Sequence, residues 1–204
     1  MEDKATATQH PPQEMSPARL EAFSDAVLAV IITIMVLALR PPGGNDIQAL
    51  KTLIPELLIY ALSFTAISIF WVNHHHLLRA TRRISGAAMW ANLHLLFWLS
   101  LVPVVTAWVG EQHASRWPTA IYGSVAFVAS IAYVLLTLTL RAANPDTRLN
   151  AQLGRDIKAK VSLALYLLGI ALALVFIEPV GPLLAFGVFA LNSLIWFIPD
   201  RRLA

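Results

Sequence analysis

The chain has 204 residues, of which 57% are hydrophobic and only 13% are charged, with a formal net charge of +3 and a mean hydropathy of +0.65. This composition is too apolar for a soluble domain of the same size and indicates an integral membrane protein. Because the chain has no cysteine, disulfides and thiolate metal sites are excluded.

Six apolar stretches follow one another along the chain. About 20 helical residues, each rising about 1.5 Å, cross about 30 Å of hydrocarbon, and each stretch is at least close to this length. The pattern therefore predicts an all-α, polytopic membrane protein with six transmembrane helices. The stretches cover approximately 19–39, 47–78, 85–109, 117–140, 161–177 and 180–198.

The cationic residues predict the topology. Of the fifteen Lys and Arg residues, only Arg40, Lys51 and Arg116 fall on the side opposite the N-terminus. Cytoplasmic loops are the ones enriched in Lys and Arg, so both termini are expected to be cytoplasmic. This distribution explains the net positive charge of the chain without a nucleic-acid partner.

The chain is expected to consist of one membrane domain with two tails. We expect a disordered cytoplasmic tail over 1–16, the membrane domain over 17–199 and a short cytoplasmic tail over 200–204. The protein is then a multi-pass protein of the cell membrane that contacts lipid.

The first stretch, RLEAFSDAVLAVIITIMVLAL, carries a carboxylate inside a membrane-length segment. An ionisable residue placed there marks a functional site by default, and here that residue is Asp25. At about 100° per residue, Val30, Thr33, Ile34 and Leu37 share one stripe of the helix, and Asp25 lies about 140° from Val30. Asp25 is therefore expected to face a neighbouring helix and not the stripe.

Three of the predicted helices bring polar side chains to a similar depth. Asp25 lies about 9 Å beyond Arg19, and His75 lies about 10 Å before Arg82 in the antiparallel second helix. The third helix places its own polar residues in the same half of the membrane. We expect a buried polar network between these helices, drawn from Ser24, Asp25, Asn73, His74, His75, Asn92 and His94.

The histidines leave other functions open. Three consecutive histidines point in three directions on a helix, so His74, His75 and His76 cannot all face one partner. A membrane redox protein could use them with His94 around a metal or haem, although the spacing lacks an i, i+4 pair or HExxH. A proton relay between Asp25 and a histidine is chemically reasonable. A secondary transporter would favour inverted repeats and broken helices.

Two segments resemble a known family. RLEAFSD followed by AVLAVIITIMVL, and WVNHHHLLR at the end of the second stretch, are similar to the transmembrane protein 175 family of potassium channels, found in lysosomes and prokaryotes. The resemblance implies a homotetramer of six-helix chains with a central pore lined by the first helices. It implies permeating potassium ions and no cofactor, bound metal or catalytic residue, so the protein is not expected to be an enzyme.

The resemblance also implies roles for individual residues. The narrow aliphatic ring of the pore falls on Val30 and the pore-lining threonine on Thr33, with Ile34 and Leu37 on the continuing stripe. The motif residues Arg19, Phe23, Ser24 and Asp25 would belong to the inter-helix network. No TVGYG-like filter occurs, so a hydrophobic constriction and threonine hydroxyls would give modest selectivity for potassium over sodium.

Overall fold

The computed structural model describes residues 16–145 and 157–197. These ranges contain six segments long and apolar enough to cross a membrane, which confirms the predicted all-α, six-span architecture. The predicted tails fall almost wholly outside the described residues, and the cytoplasmic placement of the termini stays a prediction. The helices are α1 (Pro17–Leu37), α2 (Ile47–Arg79), α3 (Gly86–Ser100), α4 (Val102–Glu111), α5 (Arg116–Ala143), α6 (Ile157–Val175) and α7 (Val180–Phe197).

The starts of the first three helices follow from single residues. Pro17 opens α1, where its fixed φ suits the helix and its missing N–H leaves no bond unmade. Asp46 caps α2 by accepting a hydrogen bond from the Ala49 amide at 2.8 Å, and Ser85 caps α3 by accepting one from the Ala88 amide at 3.2 Å. Such side chains satisfy amides that have no partner inside the helix.

The third span consists of two helices. Pro103 has no N–H to bond to the carbonyl of Leu99, so the helical ladder is interrupted there. The backbone of Leu101 nevertheless stays helical, at φ −83° and ψ −16°. The chain therefore continues in one direction from α3 into α4 across a single membrane span of 26 residues.

The core is centred on α5, which packs against α3, α4, α6 and α7. Glycines at 123 in α5 and 169 in α6 leave space for the Phe189 ring of α7, and a Cβ at either position would overlap that ring. Small residues allow helices in a membrane to approach closely. On the other side of the bundle, α1 packs against α2, α3 and α4, and this arrangement leaves one face of α1 uncovered.

Candidate functional site

The first helix has two opposite faces. The stripe predicted to line a pore is exposed on the single chain: Val30 is 54% exposed, Ile34 49% and Leu37 81%, and Thr33 is exposed as well. The opposite face packs into the bundle, so the angular division expected from the helical period is present in the structure. The buried residues are Leu20, Ser24, Leu28, Ile31 and Met35.

Thr33 is the polar side chain of the exposed stripe. Its hydroxyl donates to the backbone carbonyl of Val30 at 2.9 Å, which uses the hydrogen within the helix. The hydroxyl oxygen still has lone pairs that can accept a bond or contact a cation. The Thr33 hydroxyl oxygen can therefore act as an acceptor or as a cation ligand on the exposed side of the helix.

A chain of buried hydrogen bonds joins α1, α3 and α2. The His74 Nε2 lies 2.7 Å from the Asn92 Oδ1, the Asn92 Nδ2 donates to the Ser24 Oγ at 2.9 Å, and the Ser24 hydroxyl donates to the Leu20 carbonyl at 2.8 Å. Ser24, His74 and Asn92 are each at most 1% exposed. Because the Asn92 amide nitrogen donates to Ser24, its oxygen must accept from His74, so Nε2 of that imidazole carries a proton.

Two further contacts tie α1 to α2. The Asp25 Oδ1 accepts a hydrogen bond from the indole Nε1 of Trp71 at 2.9 Å, and the His75 Nδ1 lies 2.6 Å from the Glu21 Oε1. The ring of His75 also stacks on Trp71, with centroids 6.1 Å apart. Neither Trp71 nor Glu21 was predicted from the sequence. The helical period supplies a signal for both, since Glu21 and Asp25 are one turn apart, as are Trp71 and His75.

Four predicted members of the polar network lie elsewhere. Asn73 lies on the α5 side of α2, beside Tyr133, because one residue turns the helix by about 100° away from His74. The Tyr133 hydroxyl donates to the backbone carbonyl of Asn73 at 3.2 Å. His94 is two residues beyond Asn92, and it is exposed and accepts from Trp98 of its own helix at 2.8 Å. Arg19 and Phe23 are exposed on α1 and take no part in the bonds described above.

A second buried cluster of polar contacts lies nearer the start of α2, and the sequence did not predict it. The Thr106 hydroxyl of α4 donates to the Ser63 Oγ of α2 at 2.8 Å, and Ser63 donates to the Tyr122 hydroxyl of α5 at 3.1 Å. Just beyond the end of α1, Arg40 forms an exposed ion pair with Glu111 of α4 at 2.6 Å. The bundle is therefore joined by polar contacts near both of its ends.

Replacement of Asp25 by Asn is expected to lower stability modestly. Asparagine keeps an oxygen that can accept from Trp71 but loses the charge, and a hydrogen bond to a charged group contributes about 1 kcal/mol more than a neutral one. The thermal midpoint of the purified protein in detergent measures this loss. In a Trp71→Phe background the same replacement is expected to have little further effect, and an equal loss in both backgrounds would show that the indole bond is not its cause.

The histidines and acids of the described part of the chain do not converge into a metal site. No group of three or more His, Cys, Asp or Glu residues in residues 16–145 and 157–197 is placed to hold a metal ion. His74, His75 and His76 diverge, and His94 bonds to its own helix. The fold and this site define a polytopic membrane protein whose first helix presents an apolar, threonine-containing stripe and is attached to the bundle through its other face.

Comparison with known proteins identifies the family. A sequence model of the family described as the endosomal/lysosomal potassium channel TMEM175 matches residues 19–103. A potassium channel of Chryseobacterium sp. is 42% identical over 190 residues, which are 93% of this chain and 96% of that protein. A potassium channel of Streptomyces collinus is 32% identical over 183 residues, 85% and 89% of the two chains. The chain belongs to the TMEM175 family.

A solved structure agrees with this assignment. The crystal structure of a homologue of the lysosomal potassium-selective channel TMEM175 from Chamaesiphon minutus superimposes with a TM-score of 0.76 at 26% identity. The match covers 89% of this chain and 96% of that one. The family and the bacterial relatives are ion channels, a class of protein distinct from enzymes. The predicted family resemblance is confirmed.

Proposed function

We propose that the protein is a modestly selective potassium channel and not an enzyme, with a pore lined by the first helix of each of four identical subunits. The observation that carries this proposal is the division of α1 into a bonded face and an exposed stripe of aliphatic residues with one threonine. Potassium channels among the bacterial relatives support the choice of ion. The exposure of the stripe on the single chain supports a homotetramer, because symmetric copies can bring four such faces around one axis.

The proposed permeation path contains a hydrophobic constriction and a ring of threonine hydroxyl oxygens. Val30, Ile34 and Leu37 would form aliphatic rings, which can gate by dewetting. The Thr33 hydroxyl oxygens would replace part of the hydration shell of a passing ion. The polar network, including Ser24 and Asp25, would hold α1 from behind without touching the ions.

The proposed function is tested by potassium flux from liposomes that contain the purified protein. We expect flux that depends on the protein and on potassium, with a smaller flux when sodium replaces potassium. Protein-free liposomes prepared in the same way are the control. Absence of protein-dependent potassium flux across several lipid compositions and pH values would contradict the proposal.

Replacement of Thr33 by Val is expected to reduce the potassium-to-sodium flux ratio. Valine has nearly the same shape as threonine, so the change removes the oxygen donor while leaving the size of the ring almost unaltered. We expect the ratio to move toward one, by about twofold or more, and Thr33→Ser to retain most of the wild-type ratio. The measurement is the reversal potential under bi-ionic conditions. An unchanged ratio in Thr33→Val would remove this hydroxyl from the selectivity mechanism.

A further inference from the structure

The two ends of the helical bundle differ in charge. At the end where α2 and α5 finish and α1, α3 and α6 begin, here called the basic end, cationic residues outnumber acidic ones in the described part of the chain. The acidic residues there are Glu21 and Asp25, and the cationic residues are Arg19, Arg79, Arg82, Arg83, Arg141, Lys158 and Lys160. The opposite end combines Arg40, Lys51 and Arg116 with Asp46, Glu56, Glu111 and Glu178. Such an excess of positive charge attracts an anionic partner to the basic end.

Three exposed arginines of the basic end come from one short segment. Arg79 is the last residue of α2, and Arg82 and Arg83 lie in the connection to α3. The same connection is anchored by Thr81 and Ile84, each only 6% exposed. None of the three guanidinium groups forms an ion pair with a described residue. Their charges are therefore available to a partner outside the chain.

The buried side chain of Asn144 fixes the backbone of this connection to the end of α5. Its Oδ1 accepts hydrogen bonds from the backbone amides of Arg82 at 3.0 Å and Arg83 at 2.9 Å. Its Nδ2 donates to the carbonyl of Arg83 at 2.9 Å and to that of Leu140 at 2.8 Å. A backbone that is already ordered loses less entropy when its side chains bind a ligand.

Two tryptophans place the basic end at the level of lipid headgroups. Trp90 lies about one turn into α3 and is 74% exposed, and Trp196 lies in the last turn of α7, where its ring is 5.7 Å from the Nζ of Lys158. Tryptophan is enriched where the hydrocarbon of a membrane meets the headgroups. Arg82 and Arg83 precede the start of α3 and so lie just outside the apolar span. This position favours a lipid headgroup as the anionic partner.

We propose that Arg79, Arg82 and Arg83 form a binding site for the headgroup of an anionic phospholipid, and that Asn144 positions two of these arginines. Guanidinium groups match phosphate oxygens with paired hydrogen bonds. Phosphatidylglycerol keeps the negative charge of its phosphate, whereas the choline of phosphatidylcholine neutralises it. The site therefore prefers the anionic lipid. This inference goes beyond the proposed function and does not depend on the passage of ions.

The test compares the thermal midpoint of the full chain in detergent micelles that contain phosphatidylglycerol or phosphatidylcholine. We expect the anionic lipid to raise the midpoint by about 3 °C or more relative to the zwitterionic lipid. Salt at about 0.5 M should reduce this difference by screening. The double variant Arg82→Gln/Arg83→Gln should lose most of it. The matched control, Lys51→Gln/Arg116→Gln, removes the same charge from the opposite end and should retain it.

Native mass spectrometry of protein taken from an equal mixture of the two lipids gives a direct readout. We expect phosphatidylglycerol to be the main bound lipid in the wild type and in the control, and Asn144→Ser to weaken this preference while keeping all three arginines. An equal preference in the two double variants would overturn the site, and this comparison decides the matter even if Asn144→Ser does not fold. A rise in midpoint with soluble glycerol phosphate as large as that with phosphatidylglycerol would overturn the assignment to a membrane lipid.

Discussion

Replacement of Asn92 by Leu is expected to destabilise the folded chain by about 2–3 kcal/mol, because the change leaves buried polar groups without partners. The leucine is close in size to asparagine, so packing changes little. The imidazole of His74 loses its bond at Nε2, and its Nδ1 already has no partner among the described residues. Ser24 keeps its bond to the Leu20 carbonyl but loses the amide that donates to it.

The thermal midpoint of the purified protein in detergent measures this loss. Asn73→Leu is the matched control, because the Asn73 side chain donates to the Ile69 carbonyl of its own helix at 2.7 Å and makes no hydrogen bond to another helix among the described residues. We expect Asn73→Leu to lower the midpoint by less than half as much. A further His74→Phe change should restore part of the stability, since removal of both polar partners leaves no unpaired group. Equal losses of stability in the Asn92 and Asn73 variants would show that the buried hydrogen bonds of Asn92 contribute little to stability.

The sequence predicted the features of this protein that depend on length and period. Six apolar stretches were sufficient for the six-span fold. The helical period also predicted that Asp25 and Val30 lie on different faces of α1. These features are properties of a single helix, and they need no knowledge of which neighbour it packs against.

The partners within the network could be predicted only in part. Depth along two antiparallel helices brought Asp25 and His75 to one level, but depth does not determine the direction in which a side chain points. The structure pairs Asp25 with Trp71 and His75 with Glu21. Asn73 was assigned to the network by depth, whereas the rotation of α2 turns it toward α5.

The hydrogen bonds of the Ser63 hydroxyl to other helices were not predicted, for a different reason. Serine and threonine are frequent in membrane helices because each can bond to a carbonyl of its own helix, as Ser68 does with Phe64 at 2.8 Å. Nothing in the sequence distinguishes Ser63 from such residues. Its role depends on Thr106 and Tyr122, and these come close only after α2, α4 and α5 have packed.

Replacement of Val30 by Phe is expected to lower potassium flux by about tenfold or more. In the proposed tetramer four aromatic rings would fill the narrow aliphatic ring, and an added barrier of about 1.4 kcal/mol already slows passage tenfold. Val30→Ala is expected to act in the opposite direction, because a wider ring is harder to dewet. Flux of potassium from liposomes, normalised to the amount of protein inserted, measures both changes.

The matched control is Val36→Phe, which adds the same ring to the same helix about 120° away from Val30. Val36 is also exposed on the single chain, at 47%, so the two variants place equal bulk on different faces of α1. Wild-type flux in Val36→Phe together with a loss in Val30→Phe would assign permeation to the predicted stripe. A loss in Val36→Phe with normal flux in Val30→Phe would move the pore to another face of α1. That result would contradict the proposed pore-lining role of Thr33 as well as that of Val30, because the two residues share one stripe.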